Sequence, residues 1–136
     1  MIAFLDANAL IYLVEGREPF VKRVRQELAA IAASHRGVSA ALSRLSWLEC
    51  RVGPMKAQNQ ALLGAYDAFF SRSDLVWVDL TRDVVELAAA IRAKHGLRTA
   101  DCLQAASCLQ LGDSHVFLTG DAQFARVSGL HVQLLT

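Results

Sequence analysis

Apolar runs of strand length alternate with longer stretches of helical periodicity along the whole 136-residue chain. This alternation constrains the fold more than any other feature. Strands separated by helices join in parallel, which predicts one parallel sheet with helices on both faces. Short strands are expected at 2–5, 37–40, 75–79, 115–118 and 132–135. Helices are expected at 7–14, 18–34, 43–52, 58–70, 81–95 and 99–112, with a helical turn at 121–126. In 18–34, Phe20, Val24, Leu28 and Ile31 recur at spacings of three and four, the mark of an amphipathic helix. Gly53-Pro54 is expected to stop the helix at 43–52, and Gly96 the helix that Thr81 caps. Thr99 is read as the cap of the next helix. In sheets of this kind, ligand sites lie beyond the carboxyl ends of the strands, where strand order switches.

The length allows one domain, residues 1–136. Hydrophobic residues make up 54% and charged residues 20%, a balance that excludes intrinsic disorder. Fourteen Lys and Arg against 13 Asp and Glu leave a net charge of +1, so any nucleic-acid contact must come from a local patch. The odd set Cys50, Cys102 and Cys108 lies in apolar helical stretches, which argues against a disulfide scaffold and for a reducing cytoplasm. No apolar run reaches the ~18 residues of a membrane span. No cation precedes Arg17, so no secretory signal is expected at the start. His35, His95, His115 and His131 lack ligand spacing, which speaks against zinc.

Most of the 13 carboxylates, including Glu15, Glu18, Glu27, Asp67, Asp74, Glu86 and Asp113, fall on polar faces or in turns and need no special account. Four do not fit. Asp6 follows the buried-type strand Ile2–Leu5 and could cap the helix after it. Glu49 lies among Leu45, Leu48 and Val52, on the apolar stripe of its helix. A carboxylate there must pair with a cation such as Arg51 or Arg98, accept hydrogen bonds, or bind metal. Asp101 stands in the first turn of a helix apolar nearly all round, and Asp121 just beyond the strand at 115–118. Asp79 also ends a strand but leads at once into a capped helix and is read as structural. All four selected acids fall at strand ends or helix starts on the expected ligand side. Carboxylates gathered there would hold a proton or a divalent cation. An all-oxygen site suits Mg²⁺ or Mn²⁺, and a metal that activates a bound water suits phosphodiester hydrolysis.

The same residues carry a family likeness that spans nearly the whole chain. FLDANALIYLVE, VSAALSRLSWLECRVG, LRTADCLQAASCLQLG and VFLTGDAQFARVSGLHVQLL, in this order and spacing, resemble the blocks of PIN-domain ribonucleases. Within these, the chain resembles the VapC-type toxins of prokaryotic toxin–antitoxin pairs. The resemblance implies a three-layer α/β/α fold around a mostly parallel sheet. It places the metal-binding, catalytic acids on Asp6, Glu49, Asp101 and Asp121, and site-ordering hydrogen bonds on Asn8 and Thr119. Gly120 stands where the family most often has Asn, and Ala7 where it has Thr or Ser. The resemblance further implies an RNA substrate, a homodimer, and a cognate antitoxin whose tail covers the site. Arg44, Arg51 and Arg98 are the candidate RNA-binding cations by their nearness to Glu49 and Asp101. Lys22, Arg23 and Arg25 form a denser basic cluster that reads as a solvated helix face. The apolar excess of 18–34 and 58–70 fits core packing, an antitoxin groove or a dimer surface.

Two other readings compete. A non-catalytic PIN-like module that binds RNA or a protein would be favoured by a missing acid, and none is missing. A phospho-acceptor signalling domain expects two adjacent early acids and a late Lys at a strand end. Here Asp6 stands alone early, and the last Lys is Lys94, within a helix.

Overall fold

The computed structural model describes residues 1–136. Strands β1 (Ile2–Leu5), β2 (Ser39–Ser43), β3 (Val76–Val78), β4 (His115–Thr119) and β5 (Val132–Leu134) form one sheet in the order β3-β2-β1-β4-β5. Every neighbouring pair is parallel. Helices α1 (Ala7–Glu15) and α2 (Phe20–Ser34) link β1 to β2, and α3 (Arg44–Lys56) and α4 (Gln60–Phe70) link β2 to β3. Helices α5 (Arg82–His95) and α6 (Thr99–Leu109) carry the chain back across to β4. From β1 the chain thus proceeds outward on one side to β3, then returns to β4 on β1's other side. The switch of direction falls between β1 and β4, which pair from Ile2–His115 to Leu5–Leu118.

Period-two alternation in the strands divides the core between the two faces. Phe4, Ala41 and Phe117 point to the layer of α5 and α6, where Val84, Ala88, Ile91, Cys102 and Ala105 pack. Ala3, Leu5, Leu42 and Leu118 point the opposite way, onto Leu10, Val24, Cys50, Tyr66 and Phe70 of the α1–α4 layer. Phe4 stacks on Phe117 across the β1–β4 pair at 5.4 Å between ring centroids. The architecture is the three-layer α/β/α arrangement expected, with a sheet that is parallel throughout.

Four local features differ from the expectation. Strand β2 begins two residues later and runs to Ser43. Its small residues fit between two helical layers, and its end must reach Val76–Val78 while Ser43 Oγ caps α3 through Leu45 N at 3.1 Å. Helix α3 continues through Gly53-Pro54 to Lys56. Pro54 lies in the last turn, so its ring removes a single ladder bond just before the helix would end. Thr99 is the first residue of α6, and extended Arg98 takes the cap position without a side-chain cap bond. The turn after β4, Ala122–Arg126, is a 3₁₀ helix. Asp79 is structural as expected: it pairs with Arg44 at 2.8 Å. Thr81 caps α5 through Val84 N at 3.3 Å.

The apolar residues of α2 and α4 are mostly core. Leu28, Leu62, Tyr66, Phe69 and Phe70 all pack in the α1–α4 layer. The exposed large apolar side chains are Phe20 at the start of α2, Trp47, Leu48, Val52 and Met55 on α3, and Leu80 and Val85 near the start of α5.

Candidate active site

Asp6 ends β1 and caps α1. It is 4% exposed, and its Oδ1 accepts from Ala9 N at 2.8 Å. Its Oδ2 accepts from Thr119 Oγ1 at 2.5 Å, a bond that closes the switch point between β1 and β4. Both carboxylate oxygens are therefore fixed by hydrogen bonds. Burial nonetheless pushes the Asp6 carboxyl up to about 6, against the lowering effect of those two bonds. The charges of Asp101 and Glu49 add to the rise. These acids, 43 and 95 positions along the chain, are thus electrostatic neighbours of Asp6.

They also share a hollow with it. A cavity of about 120 Å³ is lined by Asp6, Asn8, Glu49, Arg98, Asp101 and Gln104, among others. Asp101 lies in the first turn of α6, where the helix dipole favours an acid, and Arg98 Nε approaches its Oδ2 at 3.2 Å. The Arg98 side chain is 84% exposed and reaches the cavity from its rim. Glu49 faces inward from α3, though not on the stripe that the sequence suggested. Leu48 and Val52 are exposed, and the buried face of α3 is made by Ser46 and Cys50. Glu49 shares that face because residues three and four apart line up on a helix. Neither Arg51 nor Arg98 pairs with it. Its hydrogen-bond partner is Gln104 Nε2, at 3.1 Å.

The remaining sequence candidates divide. Thr119 orders the site as described, and its Oγ1 also accepts from Asp121 N at 3.1 Å. Asp121 does not line the cavity. Its Oδ1 caps the 3₁₀ turn through Gln123 N at 2.9 Å, the capping role that was its alternative reading. Gly120 does not crowd this turn: a Cβ there would meet Tyr12 Oη at 3.5 Å, an ordinary contact. Asn8 is exposed and makes no side-chain hydrogen bond, so it orders nothing here. It stands between the acidic cavity and a larger neighbour. Arg44 and Arg51 do not reach the cavity. Arg44 pairs with Asp79 over the Trp77 ring, and Arg51 pairs with Asp67 over the Trp47 ring.

The larger neighbour, of about 500 Å³, runs between α1, α3 and α4 and shares Asn8 and Glu49 with the acidic cavity. Glu15 lines it and is more than a solvated surface acid. Tyr66 Oη donates to its Oε2 at 2.6 Å, and Arg17 Nη2 donates to its Oε1 at 2.8 Å. Burial would raise Glu15, but these bonds outweigh it and hold the carboxyl below the ordinary range. The three cysteines are free and buried. Burial, with the nearby acids, pushes the Cys50 thiol up to about 12, and burial raises Cys102 and Cys108 as well. None is a nucleophile.

The sequence passed over Gln104 and Ser46. Gln104 is 3% exposed, within a helix otherwise nearly all apolar. A polar side chain in such a setting needs a buried partner, and that was the available signal.

The PIN-domain family model matches residues 3–130. The chain belongs to the PIN-domain family. Solved structures share the fold of this PIN domain over its full length. The VapBC2 complex of Rickettsia felis, bound to a DNA fragment from its promoter, aligns at TM-score 0.78 and 18% identity, covering 100% of both chains. A toxin–antitoxin complex from Klebsiella pneumoniae aligns at 0.70 and 24%, covering 98% of each. VapBC-1 of nontypeable Haemophilus influenzae aligns at 0.73 and 20%, covering 99% of this chain and 98% of that one. No curated protein is matched by the sequence. No helix of this PIN domain is long and apolar enough to cross a membrane.

Proposed function

We propose that the protein is a divalent-metal-dependent endoribonuclease, the toxin of a type II toxin–antitoxin pair. The observation that carries this reading is the convergence of Asp6, Glu49 and Asp101 on one cavity beside the β1–β4 switch point. The donor set fits a hard cation. It is all oxygen and contains no His or Cys, and burial, helped by the charges of Asp101 and Glu49, raises Asp6. Asp6, Glu49 and Asp101 would hold Mg²⁺ or Mn²⁺. Asp121, tied to Asp6 through Thr119, would act from just outside. When bound, the cation supplies charge neutralisation at the phosphate and lowers the pKa of water in the site.

The chain's own residues supply the rest. Thr119 and the α1 amide hold Asp6 in one orientation. Arg98 stands at the rim, where its guanidinium can meet an RNA phosphate once Asp101 turns to the cation. The adjoining groove, with Asn8, Tyr12 and Arg17 in its walls, offers room and hydrogen-bond donors for the flanking nucleotides. The toxin–antitoxin complexes among the structural relatives support a cognate antitoxin as partner. A homodimer and a cytoplasmic site of action complete the reading.

One observation favours the second reading, a non-catalytic PIN module that binds RNA or a protein. No three acids are packed closely enough to form a ready coordination sphere. Like charges hold such a site open until a cation draws it together, so the two readings differ in what metal does. Purified protein, freed of antitoxin, is expected to cut RNA with Mn²⁺ or Mg²⁺ and to stop on chelation. Cleavage that survives chelation would reject the metal mechanism. RNA binding without cleavage under every metal condition would favour the second reading.

A further inference from the structure

Gln104 is a buried polar residue of α6 that the proposed mechanism leaves unused. Its Nε2 donates to Ser46 Oγ at 2.9 Å and to Glu49 Oε1 at 3.1 Å. Both amide hydrogens are therefore spent. An ionised Glu49 only accepts, so turning the amide over would set oxygen against oxygen; the carboxylate fixes which way the group points. Its Oε1 is then buried without a hydrogen-bond partner. Only two other buried side-chain polar atoms share that condition, Nε of Arg23 and of Arg51, and neither belongs to this cavity.

Leaving a buried acceptor unpaired is costly, and a Met or Leu of similar size would remove that acceptor from α6. The cavity wall does not relieve it. Asp6, Glu49 and Asp101 are carboxylates, and Arg98 is turned to Asp101.

We propose that Gln104 is a positioning residue of the acidic site: its amide N–H holds the Glu49 carboxylate toward the cavity, where that carboxylate would meet the cation. This rests on the cation reading above. It assigns to α6 a second contribution, three residues after Asp101, that is neutral and adds no charge to an already repulsive cluster. Partners of this outer kind alter metal affinity by roughly 10–100-fold.

The test is a Mn²⁺ titration of the metal-free protein, followed by electron paramagnetic resonance, on wild type and Gln104→Met. Binding by the variant is expected to weaken roughly 10–100-fold, with a cooperative melting transition in chelator showing that the variant is folded. Equal Mn²⁺ affinity in the two proteins would overturn the proposal while leaving the cation site standing. No Mn²⁺ binding by wild type would sink the cation reading, and the role of Gln104 with it. A second measurement uses wild type alone. The side-chain amide resonance of Gln104 is expected to shift on saturation with Mg²⁺. An unmoved resonance, while the backbone amides of Asp6 and Ala7 shift, would also overturn the proposal.

Discussion

The carboxyl ends of β1 and β4 lie side by side, and each is followed by an aspartate that caps the next helical turn. Asp6 accepts from Ala9 N at 2.8 Å, and Asp121 from Gln123 N at 2.9 Å. From the sequence the two acids read alike. Their second oxygens part them. That of Asp6 is buried against Thr119, in a wall shared with Glu49 and Asp101, and its carboxyl is pushed up to about 6 by burial. Asp121 is half-buried and lies off the cavity. Capping is thus common to both ends, and the placement of the remaining oxygen decides which acid is equipped for chemistry.

Asp6→Asn breaks the comparison most severely. An amide keeps the cap and can donate to Thr119, but it cannot bind a hard cation as a carboxylate does. RNA cleavage should fall by roughly 10³-fold or more, several kcal/mol of transition-state stabilisation. The next effect is on stability. The folded-state pKa of Asp6, about 6, lies above the ordinary 3.8, so the folded protein binds the proton more tightly than the unfolded chain. Stability from this group is fully present below about pH 4 and is lost as pH rises through about 6. In chelator, wild type should lose up to about 3 kcal/mol over that window, by denaturant titration, relative to Asp6→Asn.

Thr119→Val probes the bridge between the two ends. It frees Asp6 Oδ2 and removes the partner of Asp121 N, and Mn²⁺ affinity should weaken roughly 10–100-fold. Asp121→Asn is the mildest change. Asn caps as well as Asp, so stability should stay within about 1 kcal/mol, and cleavage should fall far less than in Asp6→Asn. An equal fall in the two variants would erase the distinction between the two strand ends.

The alternation of strand and helix is enough to single out Asp6 and Asp101, because a buried parallel sheet leaves few topologies and one switch point, whereas Thr119 follows only from the family likeness. Glu49 faces the cavity for a reason its apolar neighbours do not show. Leu48 and Val52 suggested a buried stripe, yet both are exposed, and the inward face is made of Ser46 and Cys50. Hydrophobicity alone misreads a helix whose buried face is partly polar and whose apolar face is bare. Arg44 and Arg51 lie near Glu49 in sequence, but each is held by an acid and an aromatic ring elsewhere. Side-chain pairings across 35 and 16 residues leave no local trace. Gln104 was legible as an anomaly, a buried amide within an apolar helix, but its partner on α3 was not.

Crystals grown with Mn²⁺ and measured at a wavelength where manganese scatters anomalously show whether the three acids hold one cation. An anomalous peak is expected inside the cavity, from an ion bound by carboxylate oxygens of Asp6, Glu49 and Asp101. A saturated crystal with that cavity free of anomalous signal, or with the ion bound elsewhere, would contradict it.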